Sequence, residues 1–319
     1  MTAHRNFKRR VRARAAKTGE SYTAALRHFR STPSGEDMPE LTQTVLRIAV
    51  AQSTVREDPT DVDGLRASGA EVRRFMKQAA DAGARLVHFP EGAICFPHKY
   101  VMSSLGPDEL GPSDWTKAEW SVLQEELDQI AALSGELGIW TVIPSVHQLP
   151  DSRPHNSAYV VSDQGKLVAR YDERTLSTTK ITYMYTPGKK PVTIEIDGYR
   201  FGLALGMDVH FPELFTEYDR LDVDGVLVCY STNGVPGNDR AATEARGHAA
   251  ANCFWVSLAV AANPDSNIDS GVIDNMGDWV VQGPSDSSPA IAVADLSRDH
   301  ELPAAARDWR HQARSRITS

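Results

Sequence analysis

The chain has 319 residues, 41% hydrophobic and 24% charged, with a formal net charge of −8. That is enough apolar material for a sizeable core without a metal or disulfide staple, and the three cysteines, Cys95, Cys229 and Cys253, are too few and too scattered for a disulfide framework or a zinc site. Free thiols and the lack of an apolar run of membrane length point to a cytoplasmic protein, with no metal or cofactor implied and no membrane partner.

The charge is unevenly spread. Residues 1–31 carry nine Lys or Arg against one acid, Glu20. Strong helix formers over residues 7–17, a break at Thr18-Gly19, and an N-cap candidate at Ser21 give a basic helical arm over 1–31. Such an arm is a solvated hairpin, a docking element, or a contact for a polyanion or nucleic acid. Residues 32–45 read as a linker, rich in Pro, Ser, Gly and acids.

The main domain spans 46–300. LRIAVAQ opens it as a strand, and Leu65, Val72, Phe75, Met76 and Ala79 share one face of a helix over 61–82. Arg85 to Phe89 is a second strand, turned off by Pro90-Glu91-Gly92. A long helix covers 116–137, and Ile139 to Pro144 is a strand. His155 to Val161 and Leu167 to Tyr171 flank a hairpin turn at Asp163–Lys166. Phe201 to Leu205 is a buried strand that breaks at Gly206 and feeds a helix start at Asp208 to Glu213. A strand ending sharply into a helix places its turn at the carboxyl edge of a sheet, where open α/β folds bind ligands. Val226 to Cys229 and Phe254 to Ala261 are further strands around a helix over 239–252; Gly271 to Val281 and Ala290 to Leu296 finish the sheet. Alternating strands and helices indicate an α/β fold. Residues 301–319 form a short basic tail.

The segment FGLALGMDVHFPELF, over 201–215, resembles the nucleophile elbow of the nitrilase superfamily, the carbon–nitrogen hydrolases. The Pro90-Glu91 pair, Asn156 at a strand start and the Ala245-Arg246 to Asn252 helix resemble the same family. The resemblance covers about 46–297. It implies an αββα sandwich that pairs as a homodimer or higher homo-oligomer, sometimes with the tail on a partner subunit. It also implies a small-molecule ligand in a sheet-edge pocket, and a Glu–Lys–Cys site acting on non-peptide C–N bonds. Glu91 takes the base position. Glu173 falls at the lysine position and Gly206 at the cysteine position, and Tyr185 stands near a second acid position.

A carboxylate in place of the lysine reverses the charge offered to an oxyanion, and glycine cannot attack. The leading expectation is a family member inactive in thiol chemistry that serves as a ligand-binding or scaffold pseudoenzyme. Gly206 would then leave open space against the turn. A second expectation is an enzyme on an amide, nitrile or carbamoyl-type substrate with reassigned chemistry. It would use the Glu91 and Glu173 carboxylates, or Cys229 as the thiol, or Lys180 as a displaced lysine. A third is a polyanion-binding regulator working through the arm. Asn156, Tyr185, Met207, Asp208, His210 and Cys229 are the pocket candidates.

Overall fold

The computed structural model describes residues 45–231, 239–263, 268–298 and 302–317. The basic arm at 1–31 and most of the linker lie outside these residues. Among the described residues, twelve strands form two six-stranded sheets, ordered β12-β1-β2-β3-β4-β5 and β11-β10-β9-β8-β7-β6. In the first, β1 (Leu46–Gln52), β2 (Leu86–His88) and β3 (Trp140–His147) run parallel; β12 (Ala290–Leu296) and β4 (His155–Val161) flank them antiparallel, and β5 (Leu167–Asp172) pairs antiparallel with β4. The second repeats the plan. Here β7 (Tyr199–Leu205), β8 (Gly225–Tyr230) and β9 (Trp255–Val260) are parallel, between antiparallel β6 (Thr193–Ile196) and the pair β10 (Gly271–Ile273) and β11 (Trp279–Gln282).

Alternate residues of the strands face opposite ways, and both faces of each sheet are covered. Between the sheets lie Ile48, Leu86, Val142, Tyr171, Leu203 and Leu227, all buried. On the outside of the first sheet, α1 (Val62–Asp81) and α2 (Trp120–Leu137) set Leu65, Phe75 and Ile130 against Ala49, Val87 and Ile143. On the outside of the second, α3 (Pro212–Arg220) and α4 (Arg240–Asn252) set Phe215 and Ala245 against Ala204 and Val226. The layers are therefore α-β-β-α, as the elbow resemblance implies. Each fully buried Leu or Phe here contributes roughly 1.5–3 kcal/mol.

Local signals set the helix ends. The Asp61 side chain accepts the Gly64 N–H at 3.0 Å and caps α1. Pro212 begins α3, where its missing N–H costs nothing. No helix among the described residues is long and apolar enough to cross a membrane.

Three details differ from the sequence reading. The stretch 271–281 is two strands, because Asp274 accepts the N–H groups of Met276 and Asp278 at 2.9 and 3.0 Å and turns the chain between them. Strand β12 does not share a sheet with β10 and β11 but pairs with β1 in the first. The tail, read from sequence as short and basic, is a helix, α5 (Ala304–Ile317), in which Arg314 pairs with Asp219 and Arg310 Nη1 donates to the Ala251 carbonyl at 2.6 Å.

Candidate active site

Four sheet ends converge on one buried charge cluster. Glu91 follows β2, Asn156 begins β4, Glu173 follows β5, and Gly206 follows β7. Lys180 opens a π-helical turn over Lys180–Met184 and reaches back to join them. Its Nζ donates to Glu91 Oε1 at 2.5 Å and to Glu173 Oε2 and Oε1 at 2.8 and 3.0 Å. Asn156 Nδ2 donates to both carboxylates, at 2.7 Å each. Glu173 Oε1 also accepts the Met207 backbone N–H at 2.9 Å.

The elbow therefore holds a carboxylate where the sequence reading expected open space. Gly206 has φ +57°, a left-handed backbone that suits glycine. A Cβ built there would lie 2.9 Å from both Glu173 Cδ and Lys180 Nζ and would overlap Glu173 Oε1. The expectation of a vacancy beside Gly206 is corrected on this point. The volume freed by the missing side chain is taken by Glu173, which also takes up an N–H of the turn.

The electrostatics follow from burial. Glu173 is 1% exposed, and burial pushes its carboxyl up to about 7 against the pull of Lys180, with Glu91 adding to the rise. For Lys180, burial alone would lower the ammonium, but the field and hydrogen bonds of Glu173 and Glu91 outweigh it and raise the group above the ordinary lysine range. The lysine is thus held as a cation. It is a charge partner, not a nucleophile.

The other expected residues divide between the site and its frame. Asp208 is buried and works as a bracket: it accepts Tyr171 Oη at 2.6 Å, Thr175 Oγ1 at 2.5 Å, and the N–H groups of Thr175 and Leu205. Burial raises its carboxyl, and those bonds oppose the rise. His210 pairs with Glu244, away from the carboxylates. Met207 contributes its backbone N–H. Cys229 does not reach the site. It is fully buried between the sheets, 4.0 Å from His88 Nδ1, and burial pushes its thiol well above the ordinary range.

A cavity of about 390 Å³ opens over Lys180, lined also by Phe96, His98, Met184, Tyr185 and Asn263. Tyr185 is buried against Trp115, ring centroids 5.4 Å apart, and its hydroxyl is raised by burial. Neither Glu91 nor Glu173 lines this cavity; Lys180 is the member of the charge cluster that does. Phe96 and His98 carry no motif and are brought here by the loop after Glu91. Lys180 had a signal in the sequence: a carboxylate pair at a buried sheet edge demands a cation, and Lys180 lies seven residues after Glu173.

The family model for carbon-nitrogen hydrolases matches this chain over residues 47–302. The chain belongs to the carbon-nitrogen hydrolase family. Among relatives of this family member, Hydrolase Rv0480c of Mycobacterium tuberculosis is 27% identical over 287 residues, covering 82% of this chain and 92% of the relative. Nitrilase homolog 2 of Dictyostelium discoideum is 22% identical over 236 residues, 70% of this chain and 68% of the relative. The fold is that of an amidase from Nesterenkonia sp., with TM-score 0.65 and 19% identity over 83% of this chain and 96% of that one. A mutant of that amidase shows covalent addition of an acetamide moiety at its active site cysteine.

Proposed function

We propose that this carbon-nitrogen hydrolase family member has given up Cys-dependent amide or nitrile hydrolysis and acts as a ligand-binding or scaffold protein. One observation carries the reading. The elbow position after β7 is Gly206, and the Glu173 carboxylate fills the space beside it. The Nesterenkonia amidase takes a covalent group on cysteine; Gly206 offers no atom for such a bond. Loss of the nucleophile in a well-studied hydrolase costs on the order of a millionfold in turnover. The remaining thiols give no substitute: Cys95 and Cys229 are buried with raised pKa values, and Cys253 ends α4 beside Arg310.

The cavity over Lys180 suits a small neutral ligand. Phe96, Met184 and Tyr185 line it beside Lys180, whose ammonium is already engaged by Glu91 and Glu173. The test is a thermal-shift panel of small amides, nitriles and N-carbamoyl compounds. A dose-dependent rise in Tm that is lost in Phe96→Ala supports a working pocket. Product release from any of them would sink the reading.

A second reading has one observation in its favour. With its carboxyl raised to about 7, Glu173 beside Glu91 could hold a proton near neutral pH, as an acid–base pair requires. Both carboxylates lie behind Lys180, so this chemistry needs the cluster to open. Turnover that survives Cys229→Ala and is lost in Glu173→Gln would select it. The polyanion reading rests on residues 1–31. Salt-dependent retention on heparin that vanishes on deleting them would support it.

A further inference from the structure

A second cavity, of about 490 Å³, lies beside the edge strand β5, under the Thr186–Val192 loop. Its wall is built on Arg170. This guanidinium is held in place: Nε and Nη2 donate to the two oxygens of Asp172 at 2.8 and 3.1 Å, and Nη1 donates to His147 Nε2. His147 is in turn fixed by Tyr159 Oη, 2.8 Å from Nδ1. Asp172 also accepts Ser157 Oγ at 2.6 Å, so its charge is fully engaged. An arginine carries five N–H donors. Three are used here, which leaves two on a pre-oriented, partly buried fork that lines the cavity.

Apart from Asp172, which is paired with Arg170, the other charged side chains of the lining are lysines. Lys189 and Lys190 stand exposed on the loop, and His155 faces the cavity with Nδ1 bonded to the Thr186 carbonyl at 2.7 Å. That bond requires the proton on Nδ1. With Asp172 balanced by Arg170, two lysine charges are left uncompensated, on a chain whose net charge is −8. A volume of several hundred Å³ is that of a metabolite site. A fixed arginine fork with flanking point charges is the donor set that matches a phosphate.

We propose that this cavity is a binding site for a small phosphate-bearing ligand, held by Arg170, Lys189 and Lys190. It is separate from the cavity over Lys180 and does not depend on what that cavity binds. The two are linked through the chain: Asp172 directly precedes Glu173, and the Gly188 N–H, next to Lys189, donates to the Glu173 carbonyl at 2.7 Å.

The test is isothermal titration calorimetry of the full-length protein at low ionic strength with inorganic phosphate, pyrophosphate and a sugar phosphate monoester. Saturable binding with Kd below about 1 mM is expected for at least one of them. Lys189→Ala/Lys190→Ala, two exposed changes that leave the fold intact, should weaken it by about tenfold or more. Lys8→Ala/Arg9→Ala/Arg10→Ala in the basic arm should leave it unchanged. A preference for the monoester over free phosphate would name a phosphorylated metabolite; the reverse would name the inorganic ion. The proposal is overturned if none of the three saturates, if the Lys189/Lys190 variant binds like the parent, or if the arm variant loses binding.

Discussion

Placing a cysteine at the elbow should destabilise this protein. Gly206→Cys meets two costs. The left-handed backbone at φ +57° penalises any residue with a Cβ by about 1–2 kcal/mol. The new Cβ also takes the space of the Glu173 carboxylate, which must leave the Met207 N–H and slacken its bond to Asn156. Hydrogen bonds to a charged group contribute about 1.5–3 kcal/mol each. The total loss should be roughly 3–5 kcal/mol. In a Glu173→Ala background the carboxylate is gone, and Lys180 still has Glu91 as a one-to-one partner. There the same Gly206→Cys change should cost the backbone penalty and a shift of the flexible Lys180 ammonium into the space the carboxylate has left. Urea unfolding of the parent, both single variants and the double variant closes the cycle, with an expected coupling of about 2 kcal/mol or more. If Gly206→Cys costs the same in both backgrounds, to within about 0.5 kcal/mol, Glu173 does not fill the elbow and the reasoning fails.

Three further outcomes follow from the same cluster and from the thiols. Lys180→Met leaves two buried carboxylates without their cation and should lose about 3–5 kcal/mol in chemical denaturation; a neutral result would contradict the charge assignment. Glu173 is raised from 4.5 to about 7 in the folded state, so the native form binds the extra proton and stability must fall as pH rises through that interval. Stability curves of the parent should therefore drop by the order of 1–3 kcal/mol from the lower to the upper end, and Glu173→Gln should flatten this component. A thiol reagent should label one of the three cysteines in the native protein, Cys253, and all three after unfolding; native labelling of Cys229 would show that the space between the sheets opens.

The fold was readable because its signals are local and strong. The elbow strand ends at a glycine, a proline starts the next helix, and the apolar faces of α1 and α2 repeat at helical spacing. What failed depends on partners far apart in sequence. Strand β12 belongs beside β1, 248 residues away by the Arg47–Asp295 pair, and no periodicity states that. The site was half legible. Glu91, Asn156, Glu173 and Gly206 were picked out, and the structure brings all four together. Reading Glu173 as a repulsive charge missed that it can turn into the glycine's space and carry its own cation. Lys180 supplies that cation from a π-helical turn, whose backbone has no sequence signature. Cys229 looked close because β8 ends at the same sheet edge, but its side chain points between the sheets.

The most direct measurement is turnover and intact mass on the purified full-length protein, incubated with a panel of amides, nitriles and N-carbamoyl compounds. The account predicts no product and no covalent adduct on any cysteine, because Gly206 has no side chain and Glu173 closes the elbow. Hydrolysis accompanied by an acyl adduct on Cys229, and abolished by Cys229→Ala, would contradict it.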